Sequence, residues 1–137
     1  MKIAVGGSMQ FAEKMLEVKR QLEVLGHKVF LSLNTESFQG KSDEAKEELK
    51  LKQKFSEDAI KHFWRTMDQC EALLILNLDK HNISNYIGGN SLLDMGYAHN
   101  LGQKIFLYGP VPDIDFYKTE IEAMRPTIIN GNLKLIQ

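Results

Sequence analysis

The sequence predicts a doubly wound α/β fold: a single parallel sheet of five strands in the order 2-1-3-4-5, with helices on both faces. Three observations predict it. Short apolar runs alternate along the chain with segments of helical periodicity. A glycine loop, Gly6-Gly7-Ser8, separates the first run from the first helix, which is how a right-handed βαβ unit opens. The central run, Glu71 to Asn77 (EALLILN), is apolar on both faces, as a strand is when helices cover its sheet on either side.

Lys2 to Val5 is the first strand. Phe11, Met15, Val18, Leu22 and Leu25 recur at alternating steps of four and three, one helical stripe, and Gly26 stands where a C-cap glycine ends a helix. Lys28 to Leu33 (KVFLSL) is the second strand. The pattern then thins: nine of the fourteen residues from Lys41 to Lys54 are charged, with only Ala45 and Leu49 as an apolar stripe. Two readings stay open for that segment, a solvated helix held by pairs such as Glu48 with Lys52 or a mobile cover over a site. Ser56 is expected to cap a stronger helix. Its Ile60, Phe63, Trp64 and Met67 share a face, so Trp64 is read as core. Leu78 to Gly89 is a loop carrying Asp79, His81, Asn82, Asn85 and Tyr86, and Asn90 or Ser91 starts a helix that runs through Leu101 to Gly102. Lys104 to Tyr108 is the fourth strand. Gly109-Pro110-Val111-Pro112 turns into a short helix with Tyr117, Ile121 and Met124, and Thr127 to Ile129 is the fifth strand. Asn130-Gly131 is a turn signal before Leu133 to Ile136, which reads as a hairpin strand or a dimer contact. The whole is a three-layer domain of the flavodoxin-like or Rossmann-like type.

Composition bounds the function. A chain of 137 residues, 43% hydrophobic and 26% charged, is expected to form one domain, residues 1–137. Seventeen Lys and Arg against eighteen Asp and Glu leave a formal charge of -1, so nothing draws the chain to a nucleic acid polymer or an anionic membrane, and a small-molecule ligand is expected. The one cysteine, Cys70, excludes an internal disulfide and reads as buried and inert. His27, His62, His81 and His99 have neither HExxH nor CxxC company, so no metal is expected; His81 and His99 read as solvated or capping rather than catalytic. The apolar run at Met1 to Gly7 is too short for a signal peptide, and no stretch approaches the roughly 18 apolar residues of a membrane span. A soluble, cytoplasmic protein is expected.

In doubly wound sheets ligands sit at the carboxyl ends of the strands, at the switch point between strands 1 and 3. The loops that meet there are Gly6 to Gln10 and Asn77 to Ser91. Gly6, Gly7 and Ser8 let backbone N–H groups approach an anion. The loop is neither G-x-G-x-x-G nor a Walker A loop, lacks the Ser/Thr-rich phosphate loop of flavodoxins, and has no acidic residues of a phosphorylated receiver. Across the crevice, Asp94 falls in the first turn of a helix. Ser91-Leu92-Leu93-Asp94 also fits an S-x-x-D capping box, which would make the acid a helix cap. Tyr97 and Ala98 read as packing.

The segment Asp94-Met95-Gly96-Tyr97-Ala98 lies after a glycine-containing loop and before the apolar strand Lys104-Ile105-Phe106-Leu107 and its proline-rich turn. It resembles the E-x-G-Y-A segment of the nucleoside 2-deoxyribosyltransferase family, which includes the 2-deoxynucleoside 5-phosphate N-hydrolases. The resemblance spans most of the chain, with the carboxylate motif as its specific part. It implies cleavage of an N-glycosidic bond, or 2-deoxyribosyl transfer, on a nucleoside or nucleoside 5-monophosphate. Asp94 would be the nucleophile or electrostatic stabiliser, and no cofactor or metal is implied. Asn77 and Asp79 would recognise or support the departing base. Gly6, Gly7, Ser8, Met9, Gly88, Gly89 and Asn90 would hold the sugar or a 5-phosphate. A homodimer is implied, with the neighbouring subunit completing the pocket. The chain departs from the family at four points. The carboxylate is Asp rather than Glu, shorter by a bond of about 1.5 Å. The tyrosine after the first strand is missing from Ser8-Met9-Gln10-Phe11. The acid expected six positions before the carboxylate is Gly88, and the hydrolases' serine there and arginine in the first loop are absent. Two other classes stay open: a binding module of the same fold without chemistry, and a protein-interaction domain using Lys41 to Lys54 and the C-terminal tail.

Overall fold

The computed structural model describes all 137 residues and has the expected architecture. Strands β1 (Lys2–Gly7), β2 (Lys28–Phe30), β3 (Ala72–Leu76), β4 (Lys104–Leu107) and β5 (Thr127–Ile128) form one sheet in the order β2-β1-β3-β4-β5. Every pair is parallel; Ile3 lies opposite both Val29 and Ala72, and Leu74 opposite Phe106. β3 has every residue buried, which is why its sequence is apolar without alternation.

Helices divide between the faces as the strand order demands. α1 (Ala12–Val24) connects β1 to β2 on one face, where Met15, Val18 and Leu22 pack with Ile3, Val5, Leu74 and Leu76. α3 (Ala59–Met67), α4 (Gly89–Asn100) and α5 (Lys118–Ala123) cover the other, burying Phe63, Met67, Met95, Ala98 and Ile121 against Ala4, Leu73 and Ile75. Asp58, not Ser56, caps α3: its carboxylate accepts from the Lys61 N–H at 3.2 Å. Ser56 is instead the last residue of the preceding helix. The tail is not a hairpin strand. Leu133–Leu135 is a single 3-10 turn, and Leu133 and Ile136 are buried in the core on the α1 face.

The charged segment forms α2 (Asp43–Ser56), capped by Ser42, and it packs against α3 and the 3-10 turn Met9–Phe11 that follows β1. One side chain docks it there. Lys46, 5% exposed, donates to both Glu13 carboxylate oxygens (2.7 and 3.0 Å) and to the Gln10 carbonyl at 3.1 Å. The ammonium lowers the Glu13 pKa, and Glu13 accepts a further bond from the Gly40 N–H at 3.0 Å. Removing one partner of a charged hydrogen-bonded pair costs about 1.5–3 kcal/mol. Lys46→Met is therefore expected to speed amide hydrogen exchange across residues 43–56 while leaving β1 and β3 protected. Unchanged exchange in α2 would show that Lys46 does not hold it.

Candidate functional site

Because strand order reverses about β1, its carboxyl end is flanked by loops that diverge, and a pocket opens there. Its walls come from Gly6 and Met9 after β1, Ser32 and Leu33 after β2, Lys50, Gln53 and Lys54 of α2, Ala59, Ile60 and Phe63 of α3, and Asn90 and Asp94 of α4. It encloses about 570 Å³ including its mouth. One carboxylate stands in this largely apolar space. Asp94 is half-buried, forms no ion pair with any lysine, and accepts a single hydrogen bond, from the Trp64 indole N–H to Oδ1 at 3.1 Å. Burial pushes its pKa up to about 7, against the opposing pull of the indole donor. Gly6 forms the floor beside it: a Cβ there would crowd Ile75 Cδ1 at 3.2 Å and would lie in ordinary contact, 3.7 Å, with Asp94 Oδ2.

A second, polar hollow adjoins the first, and the two share Lys50, Lys54 and Asn90. Ser8, Lys80, Tyr86, Gly88, Gly89 and Ser91 line it as well, with His81 packed edge-on against Tyr86. Lys80 Nζ donates to Ser8 Oγ at 2.8 Å and lies 5.9 Å from the centre of the Tyr86 ring. Burial, and next the charge of Lys50, lower the Lys80 pKa. Glu47, which pairs with Lys50 at 2.7 Å, and then Asp43 partly offset this charge. The N-terminus of α4 has no side-chain cap because Gly88 occupies the N-cap position, so its free N–H groups add to a surface suited to an anion.

The structure brings most, but not all, of the expected residues together. Gly6, Met9, Asn90 and Asp94 line the first pocket; Ser8, Gly88, Gly89 and Asn90 line the second. Gly7 serves the sheet: it holds φ +141°, and a Cβ would stand 3.0 Å from the Leu76 carbonyl oxygen. Asn77 is buried and fully engaged elsewhere. Its amide donates to the Gly109 and Pro110 carbonyls at 3.0 and 2.8 Å and accepts from the Gly109 N–H at 2.8 Å, tying the ends of β3 and β4 together. Asp79 is exposed and accepts from the Asn85 N–H at 2.9 Å within its own loop. Asn77 and Asp79 share a separate notch with Asn85 and Gly109, outside both hollows. The capping box does not form either: α4 begins at Gly89, so Asp94 lies beyond its first turn and bonds Trp64 instead.

No family model, curated protein or solved structure matches the chain. The site is thus described by its own residues, and five of these, Lys50, Gln53, Lys54, Lys80 and Trp64, escaped the sequence reading as site residues. Lys50, Gln53 and Lys54 share a face of α2 at i, i+3 and i+4, and Gln53 is 5% exposed with no side-chain partner. Trp64 is half-buried rather than core, and its ring stacks on Tyr97. Cys70 is buried, and burial pushes its thiol up to about 11, consistent with an inert residue.

The state of Asp94 has a measurable consequence for stability. Its folded pKa lies above its unfolded value, so between about pH 4 and pH 7 the folded chain binds the extra proton and stability falls as pH rises. Above about pH 7 the full penalty of the buried charge is present. Asp94→Asn, which keeps an acceptor for Trp64, is expected to melt several degrees above the native chain at about pH 8 and close to it at about pH 4. Equal melting temperatures at both pH values would contradict the burial of this charge.

Proposed function

We propose that the chain cleaves the N-glycosidic bond of a 2-deoxynucleoside 5-monophosphate, by hydrolysis or by transfer of the sugar, with Asp94 as the acting carboxylate. One observation carries the proposal: an unpaired carboxylate in a half-apolar pocket adjoins a hollow of three lysines and an uncapped helix N-terminus. The family resemblance of the Asp94 to Ala98 segment supports the same reading. A nucleotide has this polarity. Its sugar and base would lie in the first pocket, and its phosphate would meet Lys50, Lys54, Lys80 and Ser8 in the second.

As the glycosidic bond lengthens, the sugar ring gains positive charge, which the ionised carboxylate stabilises. Asp94 Oδ2 forms a bond to the anomeric carbon, and the bonding pair leaves with the base nitrogen, which takes a proton from solvent. Water then adds to the anomeric carbon, giving one proton back to solvent, and the bond to Asp94 breaks to free the carboxylate and 2-deoxyribose 5-phosphate; in transfer, a second base takes the place of water and loses its N–H proton to solvent. Gln53, with both a donor and an acceptor on its amide, suits the edge of a base. Ionisation through about pH 7 means that the reaction accelerates across that range. The resemblance further implies a homodimer, and composition a cytoplasmic one. Leu51, 40% exposed, and Phe55, 81% exposed, offer apolar surface on α2 for the partner.

A second reading, a nucleotide-binding module without efficient turnover, is favoured by the shorter reach of Asp94, since a displacement of about 1 Å costs about 100-fold in rate. The test is incubation with 2-deoxynucleosides and their 5-monophosphates, following free base by chromatography. Base release by the native chain and not by Asp94→Ala is expected, with the monophosphate preferred about tenfold and that preference lost in Lys80→Ala. Binding without release would assign the second reading. Neither binding nor release would leave an interaction domain.

A further inference from the structure

We infer that Trp64 is the positioning residue for Asp94, tying one carboxylate oxygen so that the other is presented to the pocket above Gly6. The inference rests on Asp94 as the acting group of the proposed reaction. The two carboxylate oxygens are inequivalent. Oδ1 accepts from the Trp64 indole at 3.1 Å, and Oδ2 lies 3.7 Å from the position a Gly6 Cβ would take. The indole is itself held. Its ring stacks on Tyr97 with centroids 4.7 Å apart and planes within 1°, and the Tyr97 hydroxyl donates to Asp68 Oδ1.

These four residues form two rungs between neighbouring helices. Trp64 and Asp68 stand one turn apart at the end of α3, and Asp94 and Tyr97 stand three residues apart on α4. Each rung joins one helix to the other, so the carboxylate is fixed relative to β1 by packed helices rather than by a loop. An aspartate has one torsion fewer than a glutamate, and with Oδ1 tied its remaining oxygen has a single placement. Reacting groups need positioning to within about 0.5 Å, which an unclamped carboxylate in a cleft does not supply. The charged groups that share the pocket are Lys50 and Lys54 of α2, and neither pairs with Asp94. The indole is therefore the one group bonded to the carboxylate.

The test uses a favourable accident of composition: Trp64 is the only tryptophan. The ¹H–¹⁵N signal of its indole and the ¹³C signal of the Asp94 carboxyl are followed against pH in the native chain, Asp94→Asn and Trp64→Phe. In the native chain both signals are expected to share one midpoint, and in Asp94→Asn the indole signal is expected to be flat. In Trp64→Phe the Asp94 midpoint is expected to rise by about one pH unit, because a donor to the ionised form has been removed. The acid limb of kcat/KM for base release then moves up by the same amount, with kcat falling about 100-fold and KM nearly unchanged. An indole signal indifferent to Asp94 ionisation, or an Asp94 midpoint unmoved in Trp64→Phe, overturns the inference. If Trp64→Phe does not fold, the native and Asp94→Asn titrations decide alone. These titrations need no substrate, so absence of base release would end the proposed function without touching this result.

Discussion

The structure turns on a half-buried carboxylate that pairs with no cation. An ionised acid in an apolar setting is costly unless something compensates it, and here the compensation is a single indole N–H. The pKa of Asp94 rises accordingly to about 7, which places its titration where a group acting at neutral pH is useful. Much of the neighbourhood follows from accommodating this residue. Gly6 leaves space above β1, Phe63 and Ile60 keep the wall apolar, and α4 starts early enough that the acid is not drawn into capping the helix.

Charge is sorted rather than scattered. Of the lysines on α2, Lys46 is used to anchor the helix to Glu13, whereas Lys50 and Lys54 face the hollow with Lys80. A chain with a formal charge of -1 thus carries a local cationic surface beside an isolated acid. On the proposed reading, that separation suits a phosphorylated substrate whose sugar ring gains positive charge as the bond breaks. It also keeps the lysines from pairing with Asp94, which would pull its pKa down and its oxygen away from the pocket.

The fold was legible because its signals are local and redundant. EALLILN can only be a strand covered on both faces, and the Met15, Val18 and Leu22 stripe faces one sheet surface. The place of Asp94 at the crevice beside β1 was legible from its position on the helix that follows β3. What stayed hidden depends on contacts distant in sequence. Lys46 and Gln53 are buried inside a run that composition marks as solvated, because α2 packs across the end of β1. Asn77 follows the central strand where a ligand group is expected, yet Gly109 and Pro110 bring it backbone partners from 32 and 33 residues away. Trp64 shares a helix face with true core residues, and only the approach of α4 turns its N–H toward an acid. The capping box failed because Gly88 already supplies the extended N-cap residue, shifting the helix start upstream.

We propose that a nucleotide occupies the pocket at the end of β1, between Asp94 and the lysines. The most direct test is an NMR titration of the labelled chain with a 2-deoxynucleoside 5-monophosphate. Amide and side-chain signals of Gly6, Ser8, Gln53, Trp64, Lys80 and Asn90 are predicted to shift together and to saturate, while Asn77 and Asp79 stay still. Shifts confined to the Asn77 and Gly109 notch, or no shifts at all, would contradict the account.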